Sequence, residues 1–308
     1  MRVSVVICTW NRCDLLRRTL ESLRSLVVPA NQEWELLVVN NNSSDATDEV
    51  ITAFQGFLPL RRVFESEVGL SRARNAGVRA ATGELILFTD DDVLVGPNWM
   101  MAYLDALKLW PDARYFGGVI RPWFAVEVPD WVKRNQTELA GMLCSLDIGP
   151  VSREFPPGEF PYGLNMAVCR DALSLASFDE RVGRKGHEQL RGSEYSLFRT
   201  LRRLGVRGVW VPAAEVRHYI PGCRANFRYL WNFYSGIGRS AIRLGDACEL
   251  RSRRALWREG LKALMQICPR SSDWPRHIAR VAFMSGQYYE SRLALRSDGT
   301  EVQRRGYG

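Results

Sequence analysis

The segment LILFTDDD, residues 85–92, carries the strongest signal in this sequence of 308 residues. Its apolar first half predicts a buried strand, and Asp90, Asp91 and Asp92 follow at the carboxyl end of that strand. Three adjacent carboxylates repel one another when they are enclosed, and a hard divalent cation offsets that repulsion through oxygen ligands. The segment therefore favours a Mg²⁺ or Mn²⁺ site that bridges to a diphosphate. A solvated acidic loop that binds nothing is the alternative.

Three more predicted strands precede this one, at residues 3–8, 35–40 and 60–64, and the strand of the segment itself covers 84–89. Apolar residues at helical spacing predict helices between them, the second and third at about 46–57 and 72–81. The first helix is marked by Leu16, Leu20, Leu23 and Val27. This alternation predicts an α/β fold with a mostly parallel sheet, which binds nucleotides at the carboxyl ends of its strands.

The pattern becomes less regular from residue 117 to residue 220. Prolines and aromatic residues predict a long substrate-facing insertion, followed by a strand at 164–168, a helix at 194–204 and a short strand at 208–211. From residue 221 the chain is predicted to be helical and basic. A helix is predicted there with one apolar face and a cationic stripe beside it. The apolar face consists of Trp257, Leu261, Leu264, Met265 and Cys268, and the stripe consists of Arg251, Arg254, Arg258 and Lys262.

Composition excludes several classes of protein. Hydrophobic residues make up 46% and charged residues 25%, which is ordinary for a globular chain and not for a disordered or fibrous one. No run reaches the roughly 18 apolar residues of a spanning helix. The seven cysteines are scattered without a Cys-x-x-Cys pair, which favours reduced thiols in the cytoplasm. The net charge of +8 favours phosphates or an anionic membrane surface as partners, and no nucleic-acid module is recognisable.

The sequence resembles the family-two inverting glycosyltransferases of the GT-A fold over about its first 220 residues. The resemblance is carried by VVICTWNR (5–12), LVVNNNSSD (37–45), GLSRARNAG (69–77), GELILFTDDD (83–92), GLNMAVCR (163–170), FDERVG (178–183) and GSEYSLFR (192–199). It implies a nucleotide-sugar-binding half at 1–122, an acceptor-binding and catalytic half at 123–220, and a C-terminal basic helical region at 221–308. The last region matches none of these motifs.

The resemblance implies a set of donor-binding residues. Thr9 and Asn11 would line the nucleotide pocket, and Asn40 stands where the family usually has an aspartate that binds the nucleobase. Arg74 would reach the diphosphate or the sugar, although an arginine on a helix face is often simply solvated. Gly163 and Asn165 would shape the pocket where donor and acceptor sugars meet.

The acidic triplet takes the metal and ribose roles in this resemblance. Asp92 would be the direct metal ligand, and Asp90 would contact ribose or a metal-bound water. Asp91, between them, is also counted among the donor-binding residues. His218 would complete the metal sphere or bind a phosphate, and a structural role for a lone histidine is the alternative.

An acceptor hydroxyl must lose its proton as it attacks, and the resemblance places Glu194 at the family's acidic catalytic position, so Glu194 is the predicted catalytic base. The family often has Glu-Asp where this chain has Ser193-Glu194, so one acid remains, with Glu188 as a nearby reserve. A first-turn glutamate that stabilises the helix dipole is the alternative. Trp123, Trp131 and Tyr162 are weaker candidates for stacking on a sugar ring or a lipid.

Together these features predict an inverting transferase that uses Mg²⁺ or Mn²⁺ and a UDP-sugar. The acceptor is expected to be a glycan or lipid-linked saccharide in cell-surface polysaccharide assembly. A cytoplasmic protein is expected, with peripheral membrane contact through the basic C-terminal helices as a hypothesis. The alternatives are an enzyme that glycosylates a small-molecule natural product, and a noncatalytic relative that binds sugar nucleotides. A nucleotidyltransferase or a nicotinamide oxidoreductase would need a glycine-rich loop after the first strand, where this chain has TWNR.

Overall fold

The computed structural model of the chain describes residues 1–186, 188, 190–246, 258, 261 and 274–305. The strands of that part are β1 (Val3–Thr9), β2 (Trp34–Asn40), β3 (Leu60–Phe64), β4 (Leu85–Asp90), β5 (Val93–Val95), β6 (Ala113–Phe124), β7 (Arg153–Glu154), β8 (Asn165–Cys169) and β9 (Arg207–Ile220). The first four helices are α1 (Cys13–Leu23), α2 (Thr47–Phe54), α3 (Leu70–Ala80) and α4 (Trp99–Leu109). Three short helices follow, α5 (Asp130–Arg134), α6 (Ala140–Leu143) and α7 (Arg170–Leu175). The last three are longer again: α8 (Ser193–Arg203), α9 (Phe227–Arg243) and α10 (Trp274–Arg305).

The strands form one sheet in the order β3-β2-β1-β4-β8-β6-β9-β5, and β7 pairs with β9. The first four strands of this order are parallel, as are β6 and β9, whereas β8 runs antiparallel between β4 and β6. The predicted α/β fold with a mostly parallel sheet is therefore confirmed. Since parallel strands end at the same edge, β1, β2 and β4 bring their carboxyl ends together.

Strand β1 is buried on both faces and so separates two hydrophobic cores. Val5 and Ile7 belong to the core on one face of the sheet, and Val6 and Cys8 belong to the core on the other. A continuous β-branched run is the pattern expected for a central parallel strand covered by helices on both sides.

Glu35 joins three elements at the opposite end of the sheet. Its Oε1 accepts hydrogen bonds from Ser4 Oγ at 2.7 Å and from the backbone N and Oγ1 of Thr82 at 2.6 and 2.7 Å, and its Oε2 lies 3.2 Å from Arg61 Nη2. Burial opposes the charge, but these hydrogen bonds outweigh it and lower the pKa of Glu35 to about 2.

Two long strands differ from the prediction. Strand β6 was expected to be part of an irregular insertion, and β9 was expected to end at residue 211. Gly118 explains part of the difference, because a Cβ there would lie 1.9 Å from the Ala214 carbonyl oxygen and only glycine permits this close strand packing. The register between β6 and β9 shifts at this point, between Gly118 and Ile120, so the ladder continues past an irregularity.

The chain divides into two compact units. The sheet unit comprises Met1–Ala125, Cys144–Glu180 and Ser193–Ile220, and it holds the whole sheet. The helical unit comprises Val126–Leu143, Arg181–Gly192 and Pro221–Gly308. The sheet crosses the expected boundary at residue 122, because β6 runs through it.

In the helical unit, α9 and α10 pack closely through small residues. A Cβ on Gly238 would lie 2.0 Å from the Phe283 carbonyl oxygen, so only glycine permits this approach. Glu290 of α10 then accepts hydrogen bonds from Arg239 at 2.8 Å and Arg243 at 2.6 Å, both on α9. The predicted C-terminal helical segment is thus confirmed for these two helices.

Most of the predicted amphipathic stretch lies outside the described residues, namely Arg251, Arg254, Trp257, Lys262, Leu264, Met265 and Cys268. Of the same stretch, Arg258 and Leu261 are helical and exposed. The hypothesis of membrane contact through this stretch stays a prediction. No helix in the described part of the chain combines the length and the apolar character needed to cross a bilayer.

Candidate active site

The acidic triplet begins with the last residue of β4 and lies at the edge where β1 and β2 also end. Asp91 and Asp92 are buried, with only 4% and 5% of their surfaces exposed. Arg12, in the loop after β1, places Nη1 3.0 Å from Asp91 Oδ1 and 3.1 Å from Asp92 Oδ2. Thr9, at the end of β1, donates a hydrogen bond from Oγ1 to Asp91 Oδ2 at 2.9 Å. The end of β1 and the loop after it therefore contact the triplet directly.

The charges of this cluster act on one another. Burial raises the pKa of Asp91 to about 6, against the opposing effect of Arg12. Asp91 in turn raises the pKa of the Arg12 guanidinium. Arg12 was not among the predicted site residues. Its position in the loop directly after the first strand was the available signal, because that loop meets the carboxyl end of β4.

His218 reaches the triplet from β9, where it is the register partner of Val93 in β5. Its Nε2 lies 3.5 Å from Asp92 Oδ1, and both side chains are almost fully buried. The two predicted metal ligands thus lie side by side although they are far apart in sequence.

The ligand atoms that the side chains offer at this point suit a divalent cation. Asp92 supplies a carboxylate and His218 an imidazole nitrogen, in a cluster rich in negative charge. Within the part of the chain that the structure describes, no group of three or more His, Cys, Asp or Glu side chains is arranged to hold a metal. Proteins usually bind Mg²⁺ through one or two carboxylates, with substrate phosphates and water as the other ligands.

Arg74 of α3 joins the triplet to the predicted base. Its Nη1 lies 2.8 Å from Glu194 Oε1, its Nη2 lies 3.5 Å from Asp90 Oδ1, and its guanidinium carbon lies 5.5 Å from the centre of the Phe178 ring. Only 2% of the Arg74 side chain is exposed. Burial opposes its charge, but Glu194 and Asp90 together raise the pKa of the guanidinium. The described contacts of this side chain are with the two acids and Phe178, and a contact with the diphosphate or the sugar stays a prediction.

Gly163 is the residue that allows this contact. A Cβ at this position would lie 2.0 Å from Arg74 Nη2 and 2.3 Å from Glu194 Oε1. Ser71 of α3 also donates a hydrogen bond to Ser193 Oγ of α8 at 2.9 Å, so the two helices meet beside the Arg74–Glu194 pair. That Gly163 shapes the pocket where donor and acceptor sugars meet stays a prediction.

Asn40 has a different environment from the one expected. Its Nδ2 donates to Asp48 Oδ1 at 2.7 Å, and its Oδ1 accepts from the Ser43 backbone N at 2.8 Å. Arg62 also binds Asp48, through Nε and Nη2 at 2.7 and 2.8 Å. The amide therefore holds the loop after β2, and a contact with a nucleobase would have to share these groups. Asn11 is exposed, and its Oδ1 accepts from the Ser44 backbone N at 2.7 Å, so it holds the same loop from the β1 side.

Asn165 was expected to shape the pocket where donor and acceptor sugars meet, and its side chain is engaged entirely with the protein. It is fully buried, and its Oδ1 accepts from Trp99 Nε1 and Tyr103 Oη, both at 2.7 Å. Its Nδ2 donates to the carbonyl oxygens of Val119 and Ala214 at 2.9 and 2.8 Å. An amide has two acceptor and two donor positions, and all four are used here. Asn165 therefore connects strands and a helix of the core through all of its side-chain hydrogen bonds.

Glu188, the reserve base, lies in the helical unit, where its Oε1 accepts a hydrogen bond from Arg239 Nη2 at 2.9 Å. The three aromatic candidates also have protein partners. Trp123 packs edge-on against Tyr219, Trp131 packs against Trp274 in the helical unit, and Tyr162 packs against the core of the sheet unit.

Comparison with known sequences agrees with the resemblance. Residues 4–140 match the family described as Glycosyl transferase family 2. The chain is 26% identical over 246 residues to glucosyl-dolichyl phosphate glucuronosyltransferase of Haloferax volcanii, and the match covers 76% of each protein. It is 37% identical over 106 residues to validoxylamine A glucosyltransferase of Streptomyces hygroscopicus subsp. jinggangensis, which covers 34% of this chain and 25% of that protein.

Two solved structures share the fold. Mannosyltransferase PcManGT of Pyrobaculum calidifontis, in complex with GDP-Man and Mn²⁺, has a TM-score of 0.58 and 19% identity, with 98% of this chain and 80% of that chain covered. S. aureus TarS 1–349, in complex with UDP-GlcNAc, has a TM-score of 0.56 and 15% identity, with 86% and 71% covered. The GT-A-like fold expected from the sequence is confirmed.

Proposed function

We propose that this glycosyltransferase, which carries a glycosyl transferase family 2 domain over residues 4–140, transfers a sugar from a UDP-sugar to a saccharide hydroxyl with inversion at the anomeric carbon. The observation that carries the proposal is the buried Arg74, which binds both Glu194 and Asp90. The Arg74 guanidinium thus connects two groups: the Glu194 carboxylate, which is suited to act as base, and the acidic triplet, which is suited to bind the donor.

The proposed reaction is a single displacement. The acceptor oxygen bonds to the anomeric carbon, while the bond between that carbon and the diphosphate oxygen breaks and the diphosphate leaves with the electron pair. The proton of the acceptor hydroxyl passes to the Glu194 carboxylate, which contributes about 10²–10⁴-fold as a general base. Attack opposite to the leaving group inverts the anomeric configuration. The side chain of Glu194 keeps 24% of its surface exposed, which leaves access for an acceptor.

On the donor side, Asp92 and His218 would hold a divalent cation. When bound, that cation would neutralise charge on the leaving diphosphate. Arg12 lies within 3.1 Å of Asp92 and could exchange part of this contact for a phosphate oxygen of the donor. A donor diphosphate is supported by the relatives of this fold that bind UDP-GlcNAc or GDP-Man.

The proposed acceptor is a glycan or lipid-linked saccharide in polysaccharide or glycolipid assembly. Support comes from the similarity to glucosyl-dolichyl phosphate glucuronosyltransferase, which extends over 76% of this chain. Glycosylation of a small-molecule natural product is the second candidate. It is supported by the higher identity to validoxylamine A glucosyltransferase, which is limited to 106 residues.

A thermal-shift panel tests the donor site directly. UDP, GDP, CDP and dTDP are each added with and without Mn²⁺, and a ligand that binds only the folded state raises the melting temperature by mass action. We expect UDP to stabilise the protein, by about 2.7 kcal/mol at a concentration of 100 Kd, and only in the presence of Mn²⁺. A shift with another diphosphate would change the donor, and no shift with any of them would refute the donor site.

Two substitutions separate donor binding from transfer. Asp92→Asn should abolish the Mn²⁺ dependence of the thermal shift, and an unchanged dependence would remove Asp92 from the metal site. Glu194→Gln should keep the thermal shift and lower turnover by about 10²–10⁴-fold. Glu188→Gln is the matched control and should keep turnover. The reverse pattern would move the base to Glu188.

A further inference from the structure

Arg12 shares its positive charge between two buried carboxylates of the acidic triplet. A single guanidinium nitrogen, Nη1, lies 3.0 Å from Asp91 Oδ1 and 3.1 Å from Asp92 Oδ2. The two aspartate side chains are only 5% and 3% exposed, so water does little to offset the repulsion between them. Arg12 therefore supplies positive charge that this pair of carboxylates requires.

The same guanidinium keeps part of its hydrogen-bonding capacity. An arginine can donate from every nitrogen of its guanidinium, and the contacts with the two aspartates use Nη1 alone. Within the described residues, Nε and Nη2 of Arg12 have no hydrogen-bond partner, and neither atom is fully buried. The Arg12 side chain is 32% exposed, whereas Thr9 and His218, which also contact these carboxylates, are each 2% exposed. Arg12 can therefore bind a second anion that arrives from solvent.

A divalent cation in the proposed metal site would bind the same carboxylate that holds Arg12. Asp92 Oδ1 lies 3.5 Å from His218 Nε2, while Asp92 Oδ2 accepts the contact from the guanidinium. A cation held by Asp92 and His218 would therefore share this carboxylate with a second positive charge. Like charges at such short range in a buried site oppose each other's binding. Arg12 thus lowers the affinity of the site for the cation alone.

From this arrangement we propose that Arg12 makes binding of the divalent cation conditional on binding of the donor. The inference rests on the proposed function, because it takes Asp92 as a metal ligand and a diphosphate as the leaving group. A diphosphate offers oxygens to Nε and Nη2 of Arg12 in the bidentate manner that suits a guanidinium. Its negative charge also offsets the repulsion between the guanidinium and the cation. Cation and nucleotide therefore bind cooperatively, and each raises the affinity of the other by the same factor.

Binding of Mn²⁺ alone tests this role without any turnover. Electron paramagnetic resonance follows the concentration of free Mn²⁺ during a titration of the protein. Arg12→Met removes the charge and keeps an unbranched stem, and we expect it to bind Mn²⁺ alone about tenfold more tightly than the unmodified protein. Arg12→Lys keeps a positive charge and should stay within about threefold of the unmodified protein. In saturating Mn²⁺, UDP should bind Arg12→Met about tenfold more weakly, because a charged contact with phosphate is lost.

Arg62→Met is the matched control. The Arg62 side chain is 38% exposed and binds the Asp48 carboxylate through Nε and Nη2, so this variant also removes one ion-paired arginine from the sheet unit. It should leave the affinity for Mn²⁺ within about twofold. An equal gain of affinity in both variants would trace the effect to the net charge of the protein and would refute the role of Arg12. Arg12→Gln gives a second uncharged variant, with the same expected gain, if Arg12→Met fails to fold.

Opposite changes in the two affinities distinguish this role from a purely structural one. Damage to the fold would weaken the binding of Mn²⁺ and UDP together, whereas the proposal requires Mn²⁺ alone to bind more tightly and UDP more weakly. Unchanged or weaker binding of Mn²⁺ alone to Arg12→Met refutes the role of Arg12, and leaves the proposed function intact if the unmodified protein binds UDP with Mn²⁺. Failure of the unmodified protein to bind UDP with Mn²⁺ refutes the proposed function itself.

Discussion

Replacing Gly163 by alanine adds one carbon atom at the point where Arg74 and Glu194 meet. The added Cβ would lie 2.0 Å from Arg74 Nη2 and 2.3 Å from Glu194 Oε1, whereas ordinary contact begins at 3.4 Å. Both side chains must therefore move by more than about 1 Å, and a displacement of that size at a reacting group costs roughly 100-fold in rate. We expect kcat to fall by about that factor in Gly163→Ala, with little change in the thermal shift caused by UDP and Mn²⁺.

The fold should tolerate this change better than the chemistry does. The atoms that meet the new Cβ are the ends of two long side chains and not backbone, so they can rotate away. Overpacking of this kind costs about 1–3 kcal/mol of the free energy of unfolding. Release of UDP from the UDP-sugar, with and without an acceptor glycoside, gives kcat, and thermal denaturation gives the stability.

Gly56→Ala is the control for this experiment, because a Cβ on Gly56 has no neighbour within 4 Å. It should leave both kcat and stability nearly unchanged. A folded Gly163→Ala protein with kcat within twofold of the unmodified enzyme would refute the reasoning, since the Arg74–Glu194 geometry would then be irrelevant to transfer. Equal losses in both variants would also refute it.

Two further predictions concern polar contacts of the sheet unit. Asn40→Asp brings back the aspartate that the family usually has, but we do not expect it to create nucleobase binding. It should lower the free energy of unfolding by about 1–3 kcal/mol, because the new carboxylate would face Asp48 where the amide now donates at 2.7 Å. Urea unfolding measures this loss, and the double variant Asn40→Asp/Asp48→Asn should recover stability; no recovery would contradict the stated cause. Glu35→Gln should lower the free energy of unfolding by about 3 kcal/mol at pH 7, because the pKa of Glu35 is about 2 in the folded protein against an ordinary value of 4.5. This contribution is fully present above pH 4.5 and is lost as the pH falls through 2. Urea unfolding at pH 7 and pH 3 should show a smaller difference between the two proteins at pH 3, and a constant difference would argue against the titration of Glu35.

The sequence predicted the first half of the fold well because each signal there is local. A β-branched run marks β1, and an apolar run with three aspartates marks β4 and the site at its end. In the second half, local signals were misleading. The prolines there suggested an irregular insertion, whereas in the structure Gly118 of β6 permits the approach of Ala214, about a hundred residues away. Such packing requirements depend on the partner strand and are invisible in a short window of sequence.

The candidate site shows the same limit. The resemblance indicated that Arg74 and Glu194 belong to one site, but it could not indicate that they bind each other, since 120 residues separate them. Asn165 was assigned to the ligand pocket because it lies in a motif that resembles the family, whereas in the structure all of its side-chain hydrogen bonds are made with core residues. A motif identifies a position that matters, and only the contacts distinguish binding from support of the sheet.

The acidic triplet illustrates how identical residues acquire different roles. Asp91 and Asp92 are buried and share Arg12, whereas Asp90 keeps 30% of its side chain exposed and is bound by Arg74. The two arginines thus divide the triplet into a pair beside His218 and a single carboxylate linked to Glu194. Since Arg74 serves Asp90 and Glu194 together, removal of the Asp90 charge would strengthen the hold of Arg74 on Glu194 as well as alter the donor site. With the roles proposed for Glu194 and Asp92, we therefore expect kinetic effects at Asp90 to report on the base and the donor at once, and effects at Asp92 to report on the donor alone.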